Sequence, residues 1–133
     1  MAEMTRGYCI DSDILIDYLR GVADARIFLL ETSRDAMLHI SAVSIAELYA
    51  GKETKREEKY LAVGRFLGNF QVIDVDASLA RAAGELRRDF AMPFADMIIA
   101  ASARGYGLRL ATRNTKHFAA LQKNAGLVVV KPY

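Results

Sequence analysis

Residues 7–21 read GYCIDSDILIDYLRG. Tyr8, Cys9 and Ile10 form a short apolar run of the kind that makes a buried strand, and the carboxylate of Asp11 follows at once. Ser12 or Asp13 can then cap a helix that carries Asp17 and Tyr18 and stops at Gly21, a residue suited to the position just past a helix end. The stretch therefore predicts a strand–helix unit with an acid at the carboxyl end of the strand. Asp17, spaced from Asp13 and Arg20 as helical neighbours are, is expected on an exposed face.

The unit repeats along the chain. A helical stretch over residues 23–36 leads into a second strand over 37–41, then a helix over 42–51 that starts after Ser41 or Ser44 and stops at Gly51. Residues 53–70 are amphipathic, with Tyr60, Leu61, Val63, Phe66 and Leu67 at helical spacing after a charged first turn. A third strand over 71–75 precedes a helix over 77–90, and Pro93 opens a strongly apolar helix closed by Gly105 or Gly107. Residues 108–112 and 127–130 complete the strands, with a short helix over 115–124 between them. Short strands alternating with helices give an α/β fold of three layers. Its centre is a mostly parallel sheet of about five short strands, with helices on both faces. No repeat of solenoid period and no Gly/Ser/Pro linker divides the chain, so residues 1–133 are expected to form one domain. Ligands of such sheets sit beyond the carboxyl ends of the strands, which is where Asp11 falls.

Composition narrows the class. With 53% hydrophobic and 26% charged residues and two prolines, the 133-residue chain is neither disordered nor fibrous, and a chain of this size can bury a real core. The net charge of +2 is too mild to imply a nucleic-acid partner by itself. The single cysteine, Cys9, lies in the apolar run and reads as a small buried hydrophobe, compatible with a reducing cytoplasm. Glu3 and Arg6 interrupt the opening residues, so neither a signal peptide nor a membrane span is expected, and the protein is expected to be cytoplasmic.

Two further acids stand in apolar company. Glu47 is the only charged residue from Ile40 to Gly51, and Asp96 the only one from Ala91 to Ala103. A buried carboxylate protonates, finds a cation or coordinates a metal, and neither segment contains a lysine or arginine. An ion held by Asp11, Glu47 and Asp96 answers for all three. Carboxylates without a His or Cys cluster suit a hard ion, Mg²⁺ or Mn²⁺, whereas zinc would have to gather Cys9, His39 and His117 from scattered places. Such an ion is commonly completed by phosphate oxygens, so the chemistry suggested is phosphoryl transfer to water. Plain helix capping by Asp11 or Asp13, and pairing of Glu47 and Asp96 with distant basic residues, are the structural alternatives. Thr112 and Asn114, after the fourth strand, can either cap the next helix or hold water at the site.

These pieces resemble the PIN-domain nucleases, and within them the VapC-type toxins of toxin–antitoxin modules. The matching segments are IDSDILIDYLRG, ISAVSIAELYAG, PFADMIIAASARGYGLRLATRNTKHF and the closing VVVKPY, in that order over nearly the whole chain. The resemblance implies a PIN-like fold and a metal site made by Asp11, Glu47 and Asp96, the same acids that stand out by context. It places Thr112 near the metal, with Asn114 and Asp13 as supporting polar groups. Family members often carry a fourth acid before the phenylalanine of the TRN segment, where this chain has His117 before Phe118. His117 is therefore open to three readings: a weak Mn²⁺ ligand, a contact to substrate phosphate, or a residue outside the site, with His39 unrelated.

The resemblance further implies a Mg²⁺- or Mn²⁺-dependent endoribonuclease that leaves a 5′ phosphate, a homodimer, and inhibition by a small VapB-like antitoxin whose terminal segment lies in an apolar groove. Tyr18, Leu19, Leu48 and Tyr49 flank the acids and either line such a groove or belong to the core. Arg104, Arg113, Lys116 and His117 are expected to contact the RNA, while residues 52–59 mix charge signs as a solvated face does. Two other readings stay open. An acid pair after a strand also opens the haloacid-dehalogenase phosphotransferases, in which Asp11 would be a nucleophile, although Glu47 is then idle. A PIN-like module decayed to RNA or antitoxin binding is the non-enzymatic alternative.

Overall fold

The computed structural model describes residues 7–133. The expectation about a leader segment rests on Glu3 and Arg6, which lie outside the described residues. The chain runs β1 (Tyr8–Ile10), α1 (Ser12–Leu19), α2 (Ala23–Ser33), β2 (Leu38–Ser41), α3 (Ala42–Tyr49), a 3₁₀ turn (Lys52–Lys55), α4 (Glu57–Leu67) and β3 (Gln71–Ile73). It continues through α5 (Ala77–Asp89), α6 (Phe94–Gly105), β4 (Arg109–Ala111), a second 3₁₀ turn (Thr115–Phe118), α7 (Ala119–Asn124) and β5 (Val129–Val130).

All five strands are parallel, in the order β3-β2-β1-β4-β5. Parallel neighbours must be joined by crossovers, and the helices supply them. Side chains alternate across each strand, so Cys9 and Leu110 enter one core while Ile10 and Ala111 enter the other. The first core packs α5, α6 and α7 around Leu86, Met97, Phe118 and Leu121; the second packs α1 to α4 around Ile14, Leu15, Ile40 and Leu67. The three expected layers are present, and the sheet is wholly rather than mostly parallel.

The chain adds β2 and β3 on one side of β1 and then returns to place β4 on the other. The carboxyl ends of β1 and β4 therefore flank the point where strand order reverses, the usual position of a cleft in such sheets. Register fixes the pairing there: Ile10 stands opposite Ala111, so Asp11 and Thr112 leave the sheet side by side. Gly107, at φ 66°, makes the left-handed turn between α6 and β4 that aims the strand back through the sheet. No helix among the described residues is long and apolar enough to cross a membrane.

Of the cap candidates Asp11, Ser12 and Asp13, it is Asp11 that caps α1, with its Oδ1 accepting from the Ser12 amide at 2.8 Å. The stretch read as one helix over 53–70 is broken at Arg56, whose extended backbone separates the 3₁₀ turn from α4.

Candidate metal centre at the strand ends

The site is built on the segments that leave β1 and β4. Asp11 is 7% exposed, and its second oxygen, Oδ2, accepts from the Thr112 hydroxyl at 2.8 Å. Burial pushes the Asp11 carboxyl up to about 7, helped by the charges of Asp13 and Asp96 and opposed by the hydrogen bonds from Thr112 and Ser12. Asp13 is also pushed up by burial, against the stabilising amides of Arg113 and Ile14. Its Oδ2 accepts from the Arg113 amide at 3.0 Å, while its Oδ1 is buried with no hydrogen-bond partner. These are carboxylates held close together, short of positive charge.

Glu47 and Asp96 approach from α3 and α6. Ser12 joins α1 to α3: its hydroxyl donates to Glu47 Oε1 at 2.6 Å and touches Ser44 Oγ at 2.8 Å. Ser44 and Glu47 share a face of α3 by their three-residue spacing, so one hydroxyl from α1 meets both. Asp96 lies in the first turn of α6, and its Oδ2 is 2.9 Å from His117 Nε2. Ser12 thus touches both Asp11 and Glu47, and Asp11 feels the charge of Asp96.

The apolar sequence around Glu47 and Asp96 predicts burial, and the structure differs. Glu47 is exposed and Asp96 is 25% exposed, because each apolar helix turns its acid toward the cleft and its apolar face toward the core. Among the described residues no group of three His, Cys, Asp or Glu side chains stands close enough as it is to hold an ion; Ser12 engages Glu47 and His117 engages Asp96. The donor chemistry nonetheless suits a hard divalent ion: the acids are oxygen donors, Asp11 and Asp13 repel one another, and Asp13 Oδ1 is an unpartnered buried acceptor.

The supporting residues fall out unequally. Thr112 is fully buried at the site, donating to Asp11 and lying 3.3 Å from Asp13 Oδ2. Asn114 brings only its main chain, an amide that donates to Thr112 Oγ1 at 3.1 Å, and its side chain makes no capping bond. His117 belongs to the site through Asp96, whereas Cys9 and His39 do not join it: Cys9 is buried in the first core, with its thiol pushed up to about 12 by burial. Lys116 is exposed beside His117. Arg113 is turned toward α1, where its Nη1 donates to Asp17 Oδ2 at 2.9 Å. Arg104 lies in the last turn of α6, at the far end of the helix from Asp96, and does not border the cleft.

Asp17 is not on an exposed face. It is 8% exposed, with Arg113 and the Tyr133 hydroxyl on one carboxylate oxygen. Its partners lie 96 and 116 residues away, beyond the reach of helical spacing. Ser12, Ser44 and Tyr133 are site neighbours that the sequence reading missed; the Ser44–Glu47 spacing was the one available signal. Of the residues considered for an apolar groove, Leu48 is core, and Tyr49 packs on Tyr60. Tyr18 does line an apolar cavity of about 320 Å³, with Arg26, Leu29, Leu30, Phe66 and Phe70.

Comparison with known proteins agrees with this architecture. Ribonuclease VapC10 of Mycobacterium tuberculosis is 40% identical over 114 residues, covering 82% of this chain and 84% of that protein. The tRNA(fMet)-specific endonuclease VapC of Shigella flexneri is 37% identical over 87 residues, 59% of this chain and 65% of that protein. A toxin–antitoxin complex from Klebsiella pneumoniae has a chain of the same fold, with a TM-score of 0.80 and 28% identity over 96% of this chain and 98% of that one. The model of the PIN domain matches residues 8–124, from the first residue of β1 to the last of α7, and the chain belongs to that family.

Proposed function

We propose that this protein is a PIN-domain ribonuclease acting as the VapC-like toxin of a toxin–antitoxin system, held inactive by a VapB-like antitoxin. The observation that carries the reading is the place of Asp11 at the switch point of a PIN-family sheet, bonded to Thr112, joined to Glu47 through Ser12 and within reach of the charge of Asp96. Relatives that bear the names ribonuclease and endonuclease supply the substrate class, and the Klebsiella toxin–antitoxin complex supplies the kind of partner. Residues 1–133 are read as one catalytic domain, cytoplasmic and homodimeric. The haloacid-dehalogenase reading is set aside by the family membership.

Asp11, Glu47 and Asp96 are proposed to hold Mg²⁺ or Mn²⁺, with Asp13 adding its unpartnered oxygen directly or through water. Such an ion supplies a Lewis acid that makes water a nucleophile near neutral pH and offsets charge on the phosphodiester. The protein's own side chains prepare the site. Thr112 and the Ser12 amide fix the Asp11 carboxylate through one oxygen each, the Ser12 hydroxyl orients Glu47, and His117 orients Asp96 while presenting its ring, 34% exposed, at the cleft. Lys116 adds positive charge where the RNA backbone passes. Attack by water with departure of the 3′ oxygen leaves a 5′ phosphate. The apolar cavity at Tyr18 and Phe66 suits an apolar segment of the antitoxin.

The decisive experiment uses protein freed of antitoxin. RNA cleavage should require Mg²⁺ or Mn²⁺, stop with a chelator, and disappear in Asp96→Asn while the melting transition persists. Cleavage that survives both the chelator and the substitution would overturn the assignment.

A further inference from the structure

We propose that Asp17, Arg113 and Tyr133 form a latch that positions the Thr112–Arg113 segment against the acidic site, making Arg113 a positioning residue rather than a grip on substrate phosphate. The proposal deepens the ribonuclease reading above and rests on it for the identity of the reaction.

The latch has one buried anchor. Asp17, on α1, directs a single carboxylate oxygen to two donors, the Arg113 guanidinium at 2.9 Å and the Tyr133 hydroxyl at 2.8 Å. A carboxylate at 8% exposure requires such donors, and a charged guanidinium beside a phenol meets the need. Arg113 also lies over the Tyr133 ring, its guanidinium carbon 6.0 Å from the centroid. The guanidinium is therefore committed on two sides before any RNA arrives.

What the latch holds is the main chain next to the reaction site. The Arg113 amide donates to Asp13 Oδ2 at 3.0 Å, so residue 113 is tied to α1 by both its side chain and its backbone. The preceding residue, Thr112, is bonded through its amide to Val130 O at 3.1 Å and through its hydroxyl to Asp11. Tyr133 lies just beyond β5, the strand that supplies Val130. The segment beyond β5 thus grips the segment beyond β4 through α1, and all three acids of the opening stretch contact residue 112, residue 113 or both. Releasing the latch frees the Arg113 side chain and loosens the hydroxyl that orients Asp11. Displacements of about 1 Å in such supports can cost about a hundredfold in rate.

The test compares Tyr133→Phe and Asp17→Asn with the wild type, all free of antitoxin. A latch predicts that kcat on RNA falls by about tenfold in Tyr133→Phe and further in Asp17→Asn, with KM within about twofold of wild type. It also predicts faster amide hydrogen exchange at Arg113 in both variants, measured without RNA or added ion. A raised KM at unchanged kcat would place Arg113 on the RNA and overturn the proposal, as would unchanged exchange at Arg113. Should Asp17→Asn not fold, Tyr133→Phe decides the matter, because it removes one oxygen and leaves the Arg113–Asp17 pair to be judged. The exchange measurement needs no cleavage, so a wild-type protein that fails to cut RNA defeats the functional reading while the latch is still judged on exchange alone.

Discussion

The hydroxyl of Thr112 donates to Asp11 Oδ2 at 2.8 Å, joining the ends of two neighbouring strands across 101 residues of chain. That bond lowers the cost of ionising Asp11 without cancelling it, and the carboxyl still sits at about 7 against an ordinary value of 3.8. Ionisation of Asp11 is thus opposed by the fold and favoured by whatever positive charge enters the site.

A stability prediction follows from the sign of that shift. A group whose value is raised on folding contributes stability that is fully present below 3.8 and is lost as pH rises through about 7. At about 1.4 kcal/mol per unit, Asp11 alone makes the ion-free protein weaker by on the order of 4 kcal/mol at pH 8 than at pH 4. Asp11→Asn keeps the cap and removes the charge. Its melting temperature relative to wild type, measured in chelator, should climb steadily from pH 4 to pH 8. A variant less stable than wild type at pH 8 would contradict the charge crowding.

Added ion should reverse that penalty. At pH 8, Mg²⁺ or Mn²⁺ at about a hundred times its dissociation constant should stabilise the wild type by about 2.7 kcal/mol, and a chelator should remove the gain. At pH 5.5 the proton on Asp11 competes with the ion and the gain should shrink. Asp11→Asn should show little gain at either pH. Calorimetric melting with and without ion checks all three, and an equal gain in Asp11→Asn would move the ion away from Asp11.

Four acids mark the reach of the sequence. Asp11 was legible because a polar residue ending a buried strand is a local pattern, and the alternation of strands and helices placed it at the sheet's carboxyl edge. Asp17 was not, since its Asp13 and Arg20 neighbours suggested solvent while the groups that bury it, Arg113 and Tyr133, arrive from beyond β4 and beyond β5. Glu47 and Asp96 stand out in the sequence because their neighbours are apolar, yet neither is buried. Their apolar surroundings mark helices that pack on the sheet, and the acids occupy the edge of that packing rather than its interior. What a single sequence lacks is the third dimension of each helix face.

Ser12→Ala tests the link between Asp11 and Glu47. The substitution keeps the Ser12 amide that caps onto Asp11 and removes the hydroxyl that meets Ser44 and Glu47. Loss of a buried hydroxyl with two partners should cost about 1 to 2 kcal/mol in chelator, read from urea unfolding. Glu47, released from its anchor, should hold the ion less well, so Mn²⁺ affinity by titration calorimetry should fall by about tenfold. An unchanged affinity would show that Glu47 is not a ligand or does not depend on Ser12.

His117→Asp probes the residue that stands in contact with Asp96. The imidazole Nε2 lies 2.9 Å from the Asp96 carboxylate, so an aspartate there puts a second carboxylate beside the first. Without ion the change should destabilise the protein, because like charges at short range repel and the hydrogen bond to Asp96 is lost. With ion the order should reverse: an added oxygen ligand favours a hard cation, and Mg²⁺ should bind more tightly to the variant than to wild type. His117→Ala separates the two effects, since it frees Asp96 without adding charge. Melting temperatures in chelator and calorimetric titration with Mg²⁺ measure both sides, and His117→Asp protein that binds Mg²⁺ no better than His117→Ala would place residue 117 outside the ion's reach.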